Sequence, residues 1–140
     1  MHSLADETWA LATMAEGKKI RVFIADDSAT VRDRLMSLLR DMPPVEIVGQ
    51  AADAAEAIQA IQQIKPDVVI LDIRMPAGSG IGVLRTLQQS QAKPKFIMLT
   101  NYPFLQYRKT CLEAGASYFF DKSSEFDKIP QALEQLTAAA

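Results

Sequence analysis

The sequence has few of the residues that mark several large classes of protein. Among its 140 residues there is one cysteine, Cys111, so an internal disulfide framework is excluded and a reducing compartment is indicated. No run of residues approaches the ~20 consecutive apolar positions of a membrane-spanning helix. The first residues also lack the basic and apolar regions of a secretory signal. We therefore expect a cytoplasmic protein.

The sequence also lacks a large net charge. Its 15 basic and 17 acidic side chains leave a formal charge of −2, without the basic excess of a nucleic-acid-binding module. A typical domain has ~100–200 residues, so this length predicts one domain. We expect an N-terminal extension at residues 1–18, a domain at 19–137 and a tail at 138–140.

Five short runs rich in β-branched and aromatic residues alternate with five segments of helical periodicity. The predicted strands are residues 20–25, 45–49, 67–71, 95–99 and 117–121. Asp53 is the expected N-cap of the second helix, and the fourth helix is expected from Tyr102 to Ala114, with Pro103 in its first turn. Such alternation predicts an α/β fold, a doubly wound parallel sheet with helices on both faces.

Polar side chains follow four of the five predicted strands. Asp26 and Asp27 follow the first, Asp72 the third, Thr100 the fourth, and Lys122 the fifth. Because ligands of such a sheet bind beyond the carboxyl ends of its strands, we expect these side chains to meet there.

This set of side chains suits phosphoryl transfer. Three neighbouring carboxylates repel one another unless a cation joins them, and oxygen ligands beside a phosphate suit Mg²⁺. An aspartate can act as a nucleophile and form an aspartyl-phosphate. We therefore predict that Asp72 attacks, that Mg²⁺ and Lys122 stabilise the charge, and that Thr100 senses the product.

Four motifs occur in order along the chain: Asp26-Asp27, the stretch Asp72–Gly80 with the pattern D-x-x-M-P-x-x-x-G, Leu99-Thr100, and Ala114–Ser117 followed by Asp121-Lys122. Together they resemble the motifs of a response-regulator receiver domain of two-component signalling. The resemblance covers about residues 19–137 and is to the chemotaxis-regulator type. It implies a flavodoxin-like five-stranded sheet of order 2-1-3-4-5 with five helices.

The resemblance implies which residues form the phosphorylation site. Asp72 would be the phosphoacceptor, and Mg²⁺ would be held by Asp26, Asp27, Asp72 and the backbone carbonyl of Arg74. Lys122 would contact the phosphoryl group. The donor would be a phosphohistidine on a histidine kinase or a histidine phosphotransfer protein.

The resemblance also implies how the signal is passed on. Thr100 would be the switch hydroxyl and Phe119 the switch aromatic, whose movement is a packing event because it has no hydroxyl. The chain stops with the fifth helix, so we expect a stand-alone phosphoacceptor rather than an enzyme. Its output would be phosphate relay or a protein partner on the face of the fourth helix, fifth strand and fifth helix. We expect neither DNA nor a membrane as partner, and homodimerisation stays open.

Three side chains depart from the common pattern of the family. Asn101 stands where a small residue is usual, and Arg74 and Tyr102 occupy the positions that tune access of water to the acyl phosphate. Long side chains at these places predict slow self-dephosphorylation.

Two enzyme classes and one docking function remain as alternatives. A phosphatase of the haloacid-dehalogenase kind expects D-x-D after the first strand, which Asp26-Asp27-Ser28 does not supply. A flavodoxin-like nucleotide-binding enzyme expects a glycine-rich loop there, and Ser28-Ala29-Thr30 is not one. A constitutive docking module would leave the three carboxylates unused.

Overall fold

A computed structural model of the chain describes residues 19–91 and 93–138. The predicted extension at residues 1–18 lies outside the described residues, as do residues 139–140 of the predicted tail. Within the described residues, no helix is both long and apolar enough to cross a membrane.

Five parallel strands form the main sheet, and the helices lie between them in the sequence. The strands, numbered in chain order, are β1 (Ile20–Ala25), β2 (Val45–Ala51), β3 (Val68–Leu71), β4 (Arg74–Met75), β5 (Gly78–Ser79), β6 (Lys95–Thr100) and β7 (Tyr118–Asp121). The helices are α1 (Ala29–Arg40), α2 (Ala54–Ile64), α3 (Gly80–Gln88), α4 (Leu105–Glu113) and α5 (Ile129–Ala138). The main sheet has the order β2-β1-β3-β6-β7, which confirms the predicted order 2-1-3-4-5 of the five main strands.

The sheet has apolar side chains on both faces, because successive residues of a strand point to opposite sides. Phe23 of β1 lies in a cluster with α2 and α3, where it joins Ile61 and Leu84. Its neighbour Ile24 lies in a second cluster with α1 and α5, which includes Leu133. Because both faces are covered, the predicted site lies at the carboxyl ends of the strands and not on a face of the sheet.

Helix starts follow side-chain caps in three of the five helices. The Asp53 carboxylate accepts a hydrogen bond from the Glu56 backbone N–H at 2.8 Å, as predicted for α2. Ser28 and Ser79 cap α1 and α3 in the same way. Each cap satisfies a backbone donor that the first turn of a helix leaves unbonded.

Helix α4 begins three residues later than predicted, at Leu105 and not at Tyr102. The Tyr102 backbone N–H donates to Oγ1 of Thr100 at 3.0 Å, which holds the chain in a turn after β6. Pro103 disfavours the helical conformation in the residue before it. Phe104 then has an extended backbone, with φ −69° and ψ 142°.

The short antiparallel ribbon of β4 and β5 was not predicted. The chain reverses direction through Ala77 at φ 59° and Gly78 at φ 135°. Such positive φ angles are typical of a tight turn. The Pro76 carbonyl accepts from the Ala54 backbone N–H at 2.9 Å, which fixes the ribbon against the start of α2. The loop after β3 is thereby held close to the carboxyl edge of the sheet.

Candidate functional site

The buried polar and charged side chains of the described residues lie together at the carboxyl edge of the sheet. They are Asp26, Asp72, Thr100 and Lys122, which are at most 7% exposed. Each stands at or just beyond the end of a different parallel strand, β1, β3, β6 and β7. Burial of a polar group is costly unless it is bonded, so these side chains are expected to have partners.

Lys122 bonds two of the buried carboxylates. Its Nζ lies 2.7 Å from Oδ2 of Asp26 and 3.1 Å from Oδ2 of Asp72. The other oxygens are also bonded, since Oδ1 of Asp26 accepts from the Ser28 backbone N–H at 2.9 Å. Oδ1 of Asp72 accepts from the Ile73 backbone N–H at 2.7 Å. The lysine is thus held between the ends of β1 and β3.

A third carboxylate completes an acidic group. Asp27 is exposed, and one oxygen from each of Asp26, Asp27 and Asp72 lies within 4.8 Å of the others. Ligands that are all oxygen suit a hard divalent cation, and Mg²⁺ in particular binds through one or two carboxylates while keeping several waters. The residues present therefore fit Mg²⁺. Arg74, whose carbonyl is the fourth predicted ligand, lies in β4, two residues after Asp72.

The electrostatics of the group favour an added positive charge. Burial raises the pKa of Asp72, the charge of Asp26 raises it further, and Lys122 opposes both. Burial alone would lower the pKa of Lys122, but its hydrogen bond to Asp26 and the charges of Asp72 and Asp26 raise it overall. The lysine is therefore an ammonium, and one ammonium does not neutralise three carboxylates.

The loop after Asp72 passes very close to the start of α3. The Gly80 backbone N–H donates to the Ile73 carbonyl at 2.7 Å. A Cβ at Gly80 would collide with the carbonyl of Asp72. The glycine of the predicted motif thus permits a backbone approach that orients the segment carrying Asp72.

Thr100 and Phe119, the two predicted switch residues, both lie inside the protein. The side chain of Thr100 accepts from Tyr102, and its carbonyl accepts from the Lys122 backbone N–H at 2.8 Å. Phe119 is opposite Met98 in the sheet and belongs to the apolar cluster on the α2 and α3 side.

Hydrogen bonds of Ser123 shape the loop after Lys122. Oδ1 of Asp121 accepts from both the backbone N–H of Ser123, at 2.9 Å, and its hydroxyl, at 2.8 Å. These bonds lower the pKa of Asp121. A proline in place of Ser123 has no backbone N–H and could not make the first of them.

Two arginines contact this region, and sequence reasoning identified only one of them as part of it. The Cζ of Arg74 lies 4.0 Å from the ring centroid of Tyr102, which joins two of the three side chains expected to shield the site. The third, Asn101, is exposed. Arg32 was missed: its Nη1 donates to the Asp26 carbonyl at 2.6 Å and its Nε to Oε1 of Gln50 at 2.8 Å. Its only sequence signal is its place in the first turn of α1, just after the acidic pair.

This chain is similar to known proteins both in sequence and in fold. A family model described as the response regulator receiver domain matches residues 22–134. The chain is 33% identical over 128 residues to a protein-glutamate methylesterase/protein-glutamine glutaminase of Alkalilimnicola ehrlichii, covering 86% of this chain and 33% of that protein. It is 32% identical over 119 residues to the DNA-binding transcriptional activator DevR/DosR of Mycobacterium tuberculosis, covering 85% and 55%. The chain thus spans a third to about half the length of these curated relatives.

Two solved structures illustrate the likeness of the fold. The response regulator domain of Thermotoga maritima CheB superposes with a TM-score of 0.76 at 31% identity, over 87% of this chain and 96% of that one. A chain of the CheX-CheY complex of Borrelia burgdorferi, solved with Mg and a beryllium fluoride, superposes with a TM-score of 0.81 at 28% identity, over 88% and 92%.

Proposed function

The chain belongs to the response regulator receiver domain family, and on that premise we propose that it is switched by a phosphoryl group accepted from a phosphohistidine onto Asp72. One observation carries the proposal: the buried polar side chains of the described residues converge on Asp72, and Lys122 bonds both Asp72 and Asp26. If these buried side chains served only the stability of the fold, apolar residues would be favoured at their positions.

In this proposal a carboxylate oxygen of Asp72 forms a bond to phosphorus while the bond from phosphorus to the donor imidazole nitrogen breaks. The imidazole keeps the electron pair of the broken bond and takes up a proton. Asp26, Asp27, Asp72 and the Arg74 carbonyl would hold Mg²⁺, which when bound offsets the negative charge of carboxylates and phosphoryl oxygens. Lys122 already lies 3.1 Å from Asp72, and its ammonium moves to a phosphoryl oxygen.

The switch begins at Thr100. Phosphorylation adds about −1.5 to −2 charges and three acceptor oxygens beside it. The hydroxyl of Thr100 then stops accepting from the Tyr102 backbone N–H and instead donates a hydrogen bond to one of those oxygens. Phe119 then repacks, because Thr100 and Phe119 stand on neighbouring strands β6 and β7. The two states differ in their contacts to the phosphoryl group, which is what shifts their populations.

The output surface in this proposal is the face of α4, β7 and α5. Its α4 end exposes large apolar side chains, Phe104 at 59%, Leu105 at 80% and Leu112 at 39%. Exposed aromatic and aliphatic side chains are favoured at protein interfaces. A histidine kinase or phosphotransfer protein is the proposed donor, and the cytoplasm the proposed location. Action as a stand-alone domain, without DNA, and homodimerisation stay predictions.

The lifetime of the phosphorylated state follows from the covering side chains. The guanidinium of Arg74, two residues after Asp72, lies 4.0 Å from the ring centroid of Tyr102, two residues after Thr100. We propose that the bulk of these two side chains, and not their contact with each other, slows the attack of water on the acyl phosphate. Replacing both with small residues should shorten the lifetime, as followed by intact mass after removal of the donor; an unchanged lifetime would contradict the shielding.

The decisive test is incubation with acetyl phosphate and Mg²⁺ followed by intact mass spectrometry. The wild type and Asp33→Asn, an exposed control in α1, should gain one phosphoryl group, and Asp72→Asn should gain none. An adduct that survives in Asp72→Asn would refute the assignment. Continuous phosphate release by Asp72→Asn would instead favour the phosphatase alternative.

A further inference from the structure

Helix α4 is attached to the rest of the protein by few apolar contacts. Of its nine residues, Cys111 is the buried one. Leu105 and Leu112 are exposed, although both are large apolar side chains. Since helices in proteins are stabilised mainly by packing of an apolar face, other contacts must contribute to holding α4 in place.

One such contact joins the start of α4 to the segment that carries Asp72. The guanidinium of Arg74 lies 4.0 Å from the ring centroid of Tyr102. Three rings follow one another into the helix, with centroids 6.4 Å apart between Tyr102 and Phe104 and 5.8 Å apart between Phe104 and Tyr107. The Tyr107 side chain raises the pKa of Arg74. We call Tyr102, Phe104 and Tyr107 the aromatic cluster.

A second contact lies further along α4. Nη1 of Arg108 donates to the Phe119 carbonyl in β7 at 3.2 Å. The buried Cys111 is on the next turn and packs in the apolar cluster that contains Phe119. The middle of α4 is therefore fixed to β7. Arg74 adds a link between the beginning of α4 and the loop after β3, beside the hydrogen bond from the Tyr102 backbone N–H to Thr100.

The two anchors differ in how they respond to charge at Asp72. Arg74 is exposed, stands two residues after Asp72, and makes no ion pair with a carboxylate within residues 19–91 and 93–138. An arginine fork matches phosphate oxygens in geometry, and such charge-assisted hydrogen bonds are stronger than an exposed contact with a ring. A phosphoryl group on Asp72 would therefore compete with the aromatic cluster for Arg74.

We infer that Arg74 is a phosphoryl-binding residue whose capture by the modified Asp72 releases the aromatic cluster and loosens the beginning of α4. This inference rests on the proposed phosphorylation of Asp72. In the unmodified protein Arg74 holds the segment before α4 in place. In the modified protein that segment and the exposed Leu105 gain freedom, while Arg108 keeps the rest of the helix on β7.

The backbone N–H of Arg108 is the readout, because it donates to the Phe104 carbonyl at 3.0 Å in the first turn of α4. Its hydrogen exchange is measured residue by residue by nuclear magnetic resonance, with and without beryllofluoride and Mg²⁺. Loading should speed exchange at Arg108 about two- to fivefold, the factor expected for loss of one exposed cation–π contact. Exchange at Ala116, whose N–H donates to the Cys111 carbonyl at 3.0 Å beyond the helix, should stay the same.

Variants test whether Arg74 holds the beginning of α4 in the unmodified protein and whether loading acts through Arg74. Arg74→Met and Tyr102→Leu should exchange fast at Arg108 before loading, and loading should change their exchange less than it changes that of the wild type. Arg40→Met, an exposed arginine at the end of α1, should behave as the wild type. Arg74→Lys keeps the charge without the planar fork, and its exchange before loading should lie between those of the wild type and Arg74→Met.

The outcomes distinguish this inference from the proposed function. If the wild type does not take beryllofluoride, as judged by resonance shifts around Asp72, the proposed function fails and the inference fails with it. If it loads but exchange at Arg108 does not change, or if Arg74→Met matches the wild type before loading, the inference alone is overturned.

Discussion

Replacing Asp72 by asparagine should stabilise the unmodified protein in the absence of divalent cations. The oxygens of Asp26, Asp27 and Asp72 lie at most 4.8 Å from one another. At that distance and an effective dielectric constant of about 20, two carboxylates repel by about 3.5 kcal/mol, so Asp26 and Asp27 together oppose Asp72 by about 7 kcal/mol. The attraction between Asp72 and Lys122, whose Nζ lies 3.1 Å from Oδ2 of Asp72, offsets about 5 kcal/mol of this repulsion. Exposure of Asp27 weakens its share, while burial of the Asp72 charge adds to the cost. We therefore expect Asp72→Asn to gain about 2 kcal/mol.

The pH dependence has the same physical origin. Burial and the charge of Asp26 raise the pKa of Asp72 in the folded protein above its ordinary value of 3.8. The folded state then binds the proton more tightly than the unfolded state, so ionised Asp72 costs stability at neutral pH. That cost falls away as the pH drops through the folded-state pKa. The advantage of Asp72→Asn should accordingly be full above the folded-state pKa of Asp72 and absent at pH below 3.8.

Urea unfolding followed by far-ultraviolet circular dichroism tests this in the presence of a chelator and of Mg²⁺. A cation that binds the folded state stabilises it by about 2.7 kcal/mol at a hundred times its dissociation constant, so Mg²⁺ should reverse the order of wild type and Asp72→Asn. The exposed control Asp33→Asn should stay within about 0.5 kcal/mol of the wild type. Lower stability of Asp72→Asn in chelator would refute the reasoning about carboxylate repulsion.

Four further predictions concern the framework around the site. Gly80→Ala should lose more than about 3 kcal/mol in urea unfolding and impair phosphorylation, because its Cβ would collide with the Asp72 carbonyl; near-wild-type values would show that the loop can yield. Burial raises the pKa of Cys111 to about 11, so an aromatic disulfide reagent at mildly alkaline pH should modify it only at the rate of unfolding, and rapid modification would contradict its burial. Because only the unfolded thiol ionises between pH 9.0 and about 11, stability should also fall as the pH rises through that range. Asp53→Ala removes the bond to the Glu56 N–H and should cost about 1 kcal/mol in urea unfolding, whereas Asp53→Asn should recover most of it.

Local pattern was sufficient for most elements of the fold. Val68, Val69, Ile70 and Leu71 form a run without polar alternation, and the structure buries all four in the central strand β3. The pattern was insufficient where a few side chains set the backbone. Helix α4 begins late because Thr100 accepts the Tyr102 N–H, a contact between two residues in a turn that periodicity does not register.

In the candidate site, too, some contacts could be predicted from the sequence and others could not. Its short side chains were predictable, because an aspartate at the end of a parallel strand has little freedom to point elsewhere. Arg32 reaches the Asp26 carbonyl and Arg74 reaches the ring of Tyr102 through long, flexible side chains. Their direction depends on loops and on neighbouring strands, so no spacing in the sequence specifies these contacts.

The sequence by itself determined which strands alternate with which helices and which polar residues follow the strands, since both depend on residues close together in the chain. Tertiary structure alone decided that Lys122 bonds Asp26 and Asp72, that three carboxylates share one small space, and that α4 is held by two arginines. These contacts join segments that are distant in sequence. Their distances are set by the packing of the whole sheet, and the resulting electrostatic balance around Asp72 depends on those distances.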